Sequence, residues 1–248
     1  MSDDRLERER AFHNQRFAEN ERQAQLKYYA AVEAAMTHYR DRIAALALDA
    51  DLLDYGCAEG DNVLRYASIA RSIHGIDISD VAVDRGTARL DAAGITNGKL
   101  HVMNAEEMTF PDHSFDLVFG SGIVHHLDVQ KSLTEIERVL KPGGRVLFVE
   151  PLGHNPAIDL YRRMTPQART ADEHPLRRSD FQLFEKIFSA ARFDFHALTT
   201  LAVVPFRRTP AKAPILSATR AIDRALFRLP GLKWWAWYAV MEGQKAEA

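Results

Sequence analysis

The sequence predicts an α/β protein built on a doubly wound, mostly parallel sheet, and three observations carry that reading. First, Leu52-Leu53-Asp54-Tyr55 is a short apolar run ending in a glycine-bearing turn, Gly56 to Gly60, and then in helical spacing from Val63. This is strand, tight turn, helix. Second, short apolar runs alternate with amphipathic segments from 51 to 150, the order that produces a parallel sheet with helices on its faces. Third, Asp54 and Asp77 each close a strand-like run, and in nucleotide-binding βαβ units an acid about 20 residues past the glycine turn meets ribose hydroxyls.

The elements follow in order. Residues 1–48 contain neither Gly nor Pro and are rich in Ala, Glu, Arg and Gln, so they read as a helical lid unit. The charge run Arg5 to Arg10 reads as a solvated face. Phe12, His13, Phe17, Tyr28 and Tyr29 either pack against the domain or form an aromatic lid over a pocket. Residues 49–248 form the main domain. Strands are expected at 51–55, 72–78, 99–103, 115–120 and 145–150, with helices at about 60–71, 80–93 and 129–140. Ser79 and Asp128 are helix caps, and Lys141-Pro142-Gly143-Gly144 is the stop before the fifth strand. Beyond 150 the alternation weakens. Pro151, Pro156, Pro166 and Pro175 punctuate an irregular cap, about 151–178. An amphipathic helix at 179–191, a strand at 194–204, a helix at 215–228 within a second cap segment (about 205–232) and a strand at 234–242 complete the chain.

Bulk composition removes several classes. With 32 Lys and Arg against 34 Asp and Glu the net charge is −2, which lacks the basic excess of a protein that tracks nucleic acid. The single cysteine, Cys57, excludes an internal disulfide and suits a reducing compartment. Met1–Arg10 is charged with no apolar run behind it, so no signal peptide is expected, and no apolar stretch reaches the ~20 residues of a membrane span. A cytoplasmic monomer or homodimer acting on a small molecule is expected, with peripheral membrane contact through 215–228 as a lesser alternative.

Five segments in order add a resemblance. Asp54-x-Gly56-x-Ala58-x-Gly60, Asp77, Asn104-Ala105-Glu106, Phe110-Pro111-Asp112-x-Ser114-Phe115-Asp116 and Lys141-Pro142-Gly143-Gly144 are together similar to class I S-adenosylmethionine-dependent methyltransferases, most closely the UbiE-like small-molecule group. The resemblance covers about 50–150. It implies a Rossmann-like sheet of seven strands with the last antiparallel, and S-adenosylmethionine as cofactor. Asp54, Gly56, Cys57, Ala58 and Gly60 would lie along the methionine moiety. Asp77, with Ile78 beside it, would take the ribose hydroxyls. Asn104, Ala105 and Glu106 would line the adenine, and Ser121 would face the methionine end. Two positions depart from the pattern. Ala58 replaces a glycine, which is tolerable if its φ is negative. Asn104 replaces an aspartate, and its amide oxygen still accepts a hydrogen bond.

Methyl transfer is an in-line displacement that needs alignment within ~3–3.5 Å and exclusion of water. A hydroxyl acceptor needs a base. Candidate bases are His125, His126, Glu150 and His154, at or just beyond a strand's C-terminal end. Tyr28, Tyr29, His126, Asn155, Arg162 and Arg169 are candidates for the acceptor pocket; the arginines would either hold an anionic acceptor or pair with Asp172, Glu173 and Asp180. No metal is expected, because adjacent histidines point apart and no third ligand shows useful spacing. O-methylation of a specialised or lipid-like metabolite is the leading expectation. C- or N-methylation and a non-catalytic cofactor-binding subunit stay open, and a nicotinamide dehydrogenase is disfavoured by the segments at 104–116.

Overall fold

The computed structural model describes residues 2–18, 26–165, 173–229 and 231–247. Strand patterning specifies the sheet. In β1 (Asp51–Tyr55), Leu53 and Tyr55 enter one core layer while Leu52 enters the other. The same alternation recurs in β4 (Phe115–Ser121), with Val118 against Leu117 and Phe119, and in β5 (Leu140–Pro151), with Val146 and Phe148 against Leu147 and Val149. Strands buried on both faces need helices on both sides. β1 pairs in parallel with β2 (Ser72–Asp77) and with β4, and β2 with β3 (Gly98–Val102). β7 (Tyr238–Gln244) runs antiparallel to both β5 and β6 (Ser189–His196). The order is β3-β2-β1-β4-β5-β7-β6, the seven-stranded sheet expected from the resemblance. Strand order reverses between β1 and β4, and a crevice opens beyond the C-terminal ends at such a point.

One face is covered by α2 (Leu26–Leu46), α3 (Asp61–Tyr66) and α4 (Asp80–Ala92), the other by α5 (Val129–Val139) and α7 (Arg178–Ile187). Ala35, Tyr39, Ile43 and Ala47 recur every four residues and bury completely against Leu52, Phe119 and Leu147. Among the described residues the stretch 1–48 forms two helices. α2 belongs to the sheet's core, and α1 (Ser2–Ala18) lines the crevice.

Several expected bounds shift. The first βα helix stops at Tyr66 instead of 71. The strand expected at 194–204 ends at His196 and is followed by a 3₁₀ segment, Thr200–Phe206. The cause is Asp223, buried on α8 (Lys212–Leu226), whose carboxylate accepts from the Leu198 and Thr199 amides at 3.1 and 2.7 Å and from Thr199 Oγ1 at 2.6 Å. Those amides are thus spent on a side chain and not on a ladder. α8 itself packs through Leu216 onto Val203 and onto Ala31 of α2. Trp234 and Trp235 lie in a 3₁₀ turn before β7. Among the described residues no helix is long and apolar enough to cross a membrane.

Candidate active site

The glycine turn is pinned to the neighbouring strand: the Gly56 and Cys57 amides both donate to Ile76 O at 2.9 Å. Gly56 has φ 79°, and a Cβ there would come within 2.9 Å of Ile123 Cγ1, so only glycine lets the segment after β4 close against the turn. Ala58 corrects an expectation. Its φ is +50°, in the left-handed region, and not negative. The turn holds it there because the Ala58 amide donates to Asp77 Oδ2 at 2.9 Å. Cys57 is buried; its Cβ fills the space where a side chain at Gly75 would stand, and burial pushes its thiol pKa up. It is a packing residue with an inert thiol.

Asp54 sits beneath the turn. It is almost wholly buried, Oδ1 accepts from Asn62 Nδ2 at 3.1 Å, and Oδ2 has no hydrogen-bond partner among the described residues. Burial, with Asp77 and Asp61 adding to it against the Asn62 bond, raises its pKa to about 7. A buried carboxylate oxygen left open in this way fits an incoming ammonium group.

The turn forms one wall of a cleft with an empty volume of ≈ 740 Å³, counted to the solvent at its mouth. Of the expected cofactor positions, Gly56, Ala58, Asp77, Ile78, Asn104, Ala105 and Ser121 line it. Asp77 accepts from the Ala58 and Ser79 amides, one per carboxylate oxygen, which fixes the carboxylate while each oxygen keeps a further lone pair. Asn104 Oδ1 accepts from the Glu106 amide at 3.0 Å, and Tyr55 Oη donates to Ala105 O at 2.6 Å, so this wall is built on β1. Asp54, Cys57, Gly60 and Glu106 stand behind the surface. Gly60 caps α3 with φ 74°. Glu106 does not line the cleft: its carboxylate accepts from the Asp128 amide at 2.8 Å and pairs with Arg5.

Arg5 belongs to α1, which closes the cleft. It also donates to His126 O at 3.0 Å. Further along, Arg10 Nε donates to Ile78 O (3.2 Å), Asn14 Nδ2 to Asp80 Oδ1 (2.6 Å), Ser79 Oγ to Asn14 Oδ1 (2.6 Å) and Arg85 Nη1 to Phe17 O (2.6 Å). Arg5, Glu9, His13 and Phe17 all line the cleft. The run Arg5–Arg10 is thus not simply a solvated face, since Glu9 is buried. The four-residue spacing of these side chains is the signal that reading the run as charge alone overlooks. Ile123, Leu127 and Met103 also line the cleft; they are apolar residues beyond strand ends and carry no sequence signature of their own.

The wall beyond β4 and β5 holds the candidate bases. Glu150 is wholly buried: Oε1 accepts from the Ile123 and Val124 amides at 2.9 and 3.0 Å, and Oε2 meets His125 Nδ1 at 2.7 Å. It has no path to an acceptor, and its work is to hold His125. His125 Nε2 points toward the cap, 3.9 Å from Glu173 Oε1. Burial lowers the His125 pKa, with the Glu150 hydrogen bond opposing. His126, not His125, lines the cofactor cleft. His154 lies outside it: Nε2 accepts from the Arg178 amide at 3.1 Å, and the ring packs edge-on against Trp234. Asn155 caps α6 (Pro156–Met164), accepting from the Ala157 and Ile158 amides and donating to Trp235 O at 2.6 Å, so its polar atoms serve the backbone. Arg162 pairs with Glu173, the network alternative for the cap arginines. The side chains of Tyr28 and Tyr29, and Arg169 entirely, lie outside the described residues.

The sheet is similar in fold to solved methyltransferase structures, and part of the chain matches a methyltransferase family model. Residues 53–148 match the family model described as Methyltransferase domain. The chain is 29% identical over 141 residues to the uncharacterized methyltransferase YcgJ of Bacillus subtilis (strain 168), covering 56% of this chain and 55% of that protein. It is 36% identical over 123 residues to the 27-O-demethylrifamycin SV methyltransferase of Amycolatopsis mediterranei (strain S699), covering 47% and 45%. The chain thus spans about half the length of these curated relatives. Among solved structures it superposes on geranyl diphosphate C-methyltransferase from Streptomyces coelicolor A3(2), crystallised with Mg2+, geranyl diphosphate and S-adenosyl-L-homocysteine. The TM-score is 0.64 at 14% identity, over 86% of this chain and 78% of that one. At that identity the likeness concerns the fold.

Proposed function

We propose that this protein transfers a methyl group from S-adenosylmethionine to an oxygen of a small-molecule acceptor. The supporting observation is the Glu150–His125 pair. Glu150 accepts a hydrogen bond from His125 Nδ1–H at 2.7 Å, which leaves Nε2 as the basic nitrogen, and burial keeps the ring neutral near pH 7. A neutral, oriented imidazole whose Nε2 points toward the cap segment is the equipment for removing a hydroxyl proton.

S-adenosylmethionine supplies an electrophilic methyl with its leaving group already in place. Asp54 would meet the methionine ammonium through its open oxygen. Asp77 would accept from the ribose hydroxyls. Asn104 and Ala105 would border the adenine, with Gly56 and Ser121 near the methionine chain. α1 would exclude water, and it alone of the N-terminal helices would be the lid. His125 would take the acceptor's proton, and Glu150 would stabilise the imidazolium that forms. His125→Ala should lower kcat by ~10²–10⁴-fold with the S-adenosylmethionine Kd unchanged. Glu150→Gln, which loses the carboxylate but keeps the shape, should lower kcat and shift the acidic limb of the pH profile to lower pH. Unchanged turnover in His125→Ala would remove the base from the reading.

C-methylation is the second reading. It is favoured by the carboxylate of Glu173 near His125 Nε2, which suits a cationic intermediate as well as it suits a base. The position of a labelled methyl in the product separates the two.

A further inference from the structure

The lid helix brings three possible ligands to one point. Glu9 and His13 are four residues apart on α1, so their side chains share a face. His126 follows β4, in the 3₁₀ turn Val124–His126. His13 Nε2 and His126 Nδ1 each stand 3.4 Å from Glu9 Oε2. The three ligand atoms all fall within 4.8 Å of one another. We propose that Glu9, His13 and His126 form a site for one divalent cation of the zinc type, which latches α1 over the cofactor cleft.

The distances favour a metal. Zinc bonds to N and O of about 2.0–2.2 Å in tetrahedral geometry set neighbouring ligand atoms about 3.3–3.6 Å apart. Both measured separations fall in that interval, whereas a charge-assisted hydrogen bond would be about 2.7–2.9 Å. His126 is 8% exposed, and its Nδ1 has no hydrogen-bond partner among the described residues, an unusual state for a buried ring nitrogen aimed at two other polar side chains. Glu9 is 4% exposed. A mixed nitrogen and oxygen set suits borderline cations over Mg2+ or Ca2+, which prefer oxygen alone. All three residues line the cleft, so a fourth position, filled by exchangeable water, would face it. The neighbouring group His125, His126 and Glu173 is less suited. His125 Nδ1 is committed to Glu150, and Glu173 is paired with Arg162.

The site would couple metal to lid closure, because two ligands travel on α1 and the third is fixed to the sheet. It rests on the lid's geometry and not on the methyl-transfer reading. The test uses tag-free full-length protein, stripped by chelator and titrated with Zn2+ and with Co2+. One equivalent should bind, with the visible absorption of tetrahedral Co2+. Glu9→Gln and His13→Ala should each weaken affinity at least tenfold while melting stays cooperative. Zn2+ should slow amide exchange along α1 in the parent protein and not in the variants. No stoichiometric binding, or binding undiminished in both variants, would overturn the site. S-adenosylmethionine affinity measured on the metal-free protein reports on the cofactor reading separately.

Discussion

Asp54 is the residue whose proposed role would link fold to ligand most directly. Its carboxyl titrates near 7 in the folded protein against 3.8 for the free group. A raised carboxyl pKa means that the native state keeps a proton the unfolded chain releases. The Asp54 contribution to stability is therefore full below about pH 4 and is lost as pH rises toward 7. An ammonium beside Oδ2 favours the ionised form, so cofactor binding should expel a proton. Calorimetry at pH 6 in buffers of different ionisation enthalpy should show close to one proton released, and Asp54→Asn should abolish the release and weaken binding at least tenfold. At Ala58 the prediction concerns strain. A non-glycine residue at φ +50° costs about 1–2 kcal/mol, so Ala58→Gly should raise stability by up to about 1 kcal/mol after the entropy of glycine is counted. A thermal melt reads this as a Tm higher by ~2–4 °C. An unchanged or lower Tm would show that the turn tolerates the alanine without strain. Gly56, Asp77 and Asn104 are legible in the sequence because their partners lie within a few residues or in a fixed βαβ relation. The φ of Ala58 is not, because it is set by the Asp77 carboxylate across the turn.

Among the elements, α1 and α2 look alike in the sequence and behave differently in the fold. α2 carries Ala35, Tyr39 and Ile43 buried in register, and its Arg42 makes a two-point contact with Glu242 on β7 at 2.9 and 2.6 Å. α1 instead turns a polar stripe to the cleft and is held by hydrogen bonds and ion pairs to Glu106, Ile78 and Asp80. Polar fastening of this kind is weaker than core burial and releases locally. Removing residues 1–18 should therefore leave the fold's melting cooperative and speed cofactor release by at least tenfold in stopped-flow displacement. A loss of folding would show that α1 belongs to the core. The Arg5–Glu106 and Glu9–His126 contacts bridge more than a hundred residues, and no local pattern announces them. The end of β6 is hidden for the same reason, since Asp223 captures its amides from α8.

Across the whole molecule, sheet order follows from strands buried on both faces, and the crevice follows from the reversal between β1 and β4. The residues proposed to grip the donor sit at that reversal, on loops supported by the sheet. Those proposed to meet the acceptor come from α1, the turn after β4 and the cap, where the sequence carries no ordered motif. The central claim is that this cleft takes the methionine-bearing donor and not a dinucleotide: the open oxygen of Asp54 wants an ammonium, and Ala58 stands where a diphosphate would need a bare backbone. Calorimetric titration of the full chain with S-adenosylmethionine and, separately, with NAD tests it most directly. One equivalent of S-adenosylmethionine should bind in the micromolar range, with no heat from NAD; NAD binding without S-adenosylmethionine binding would overturn the donor assignment.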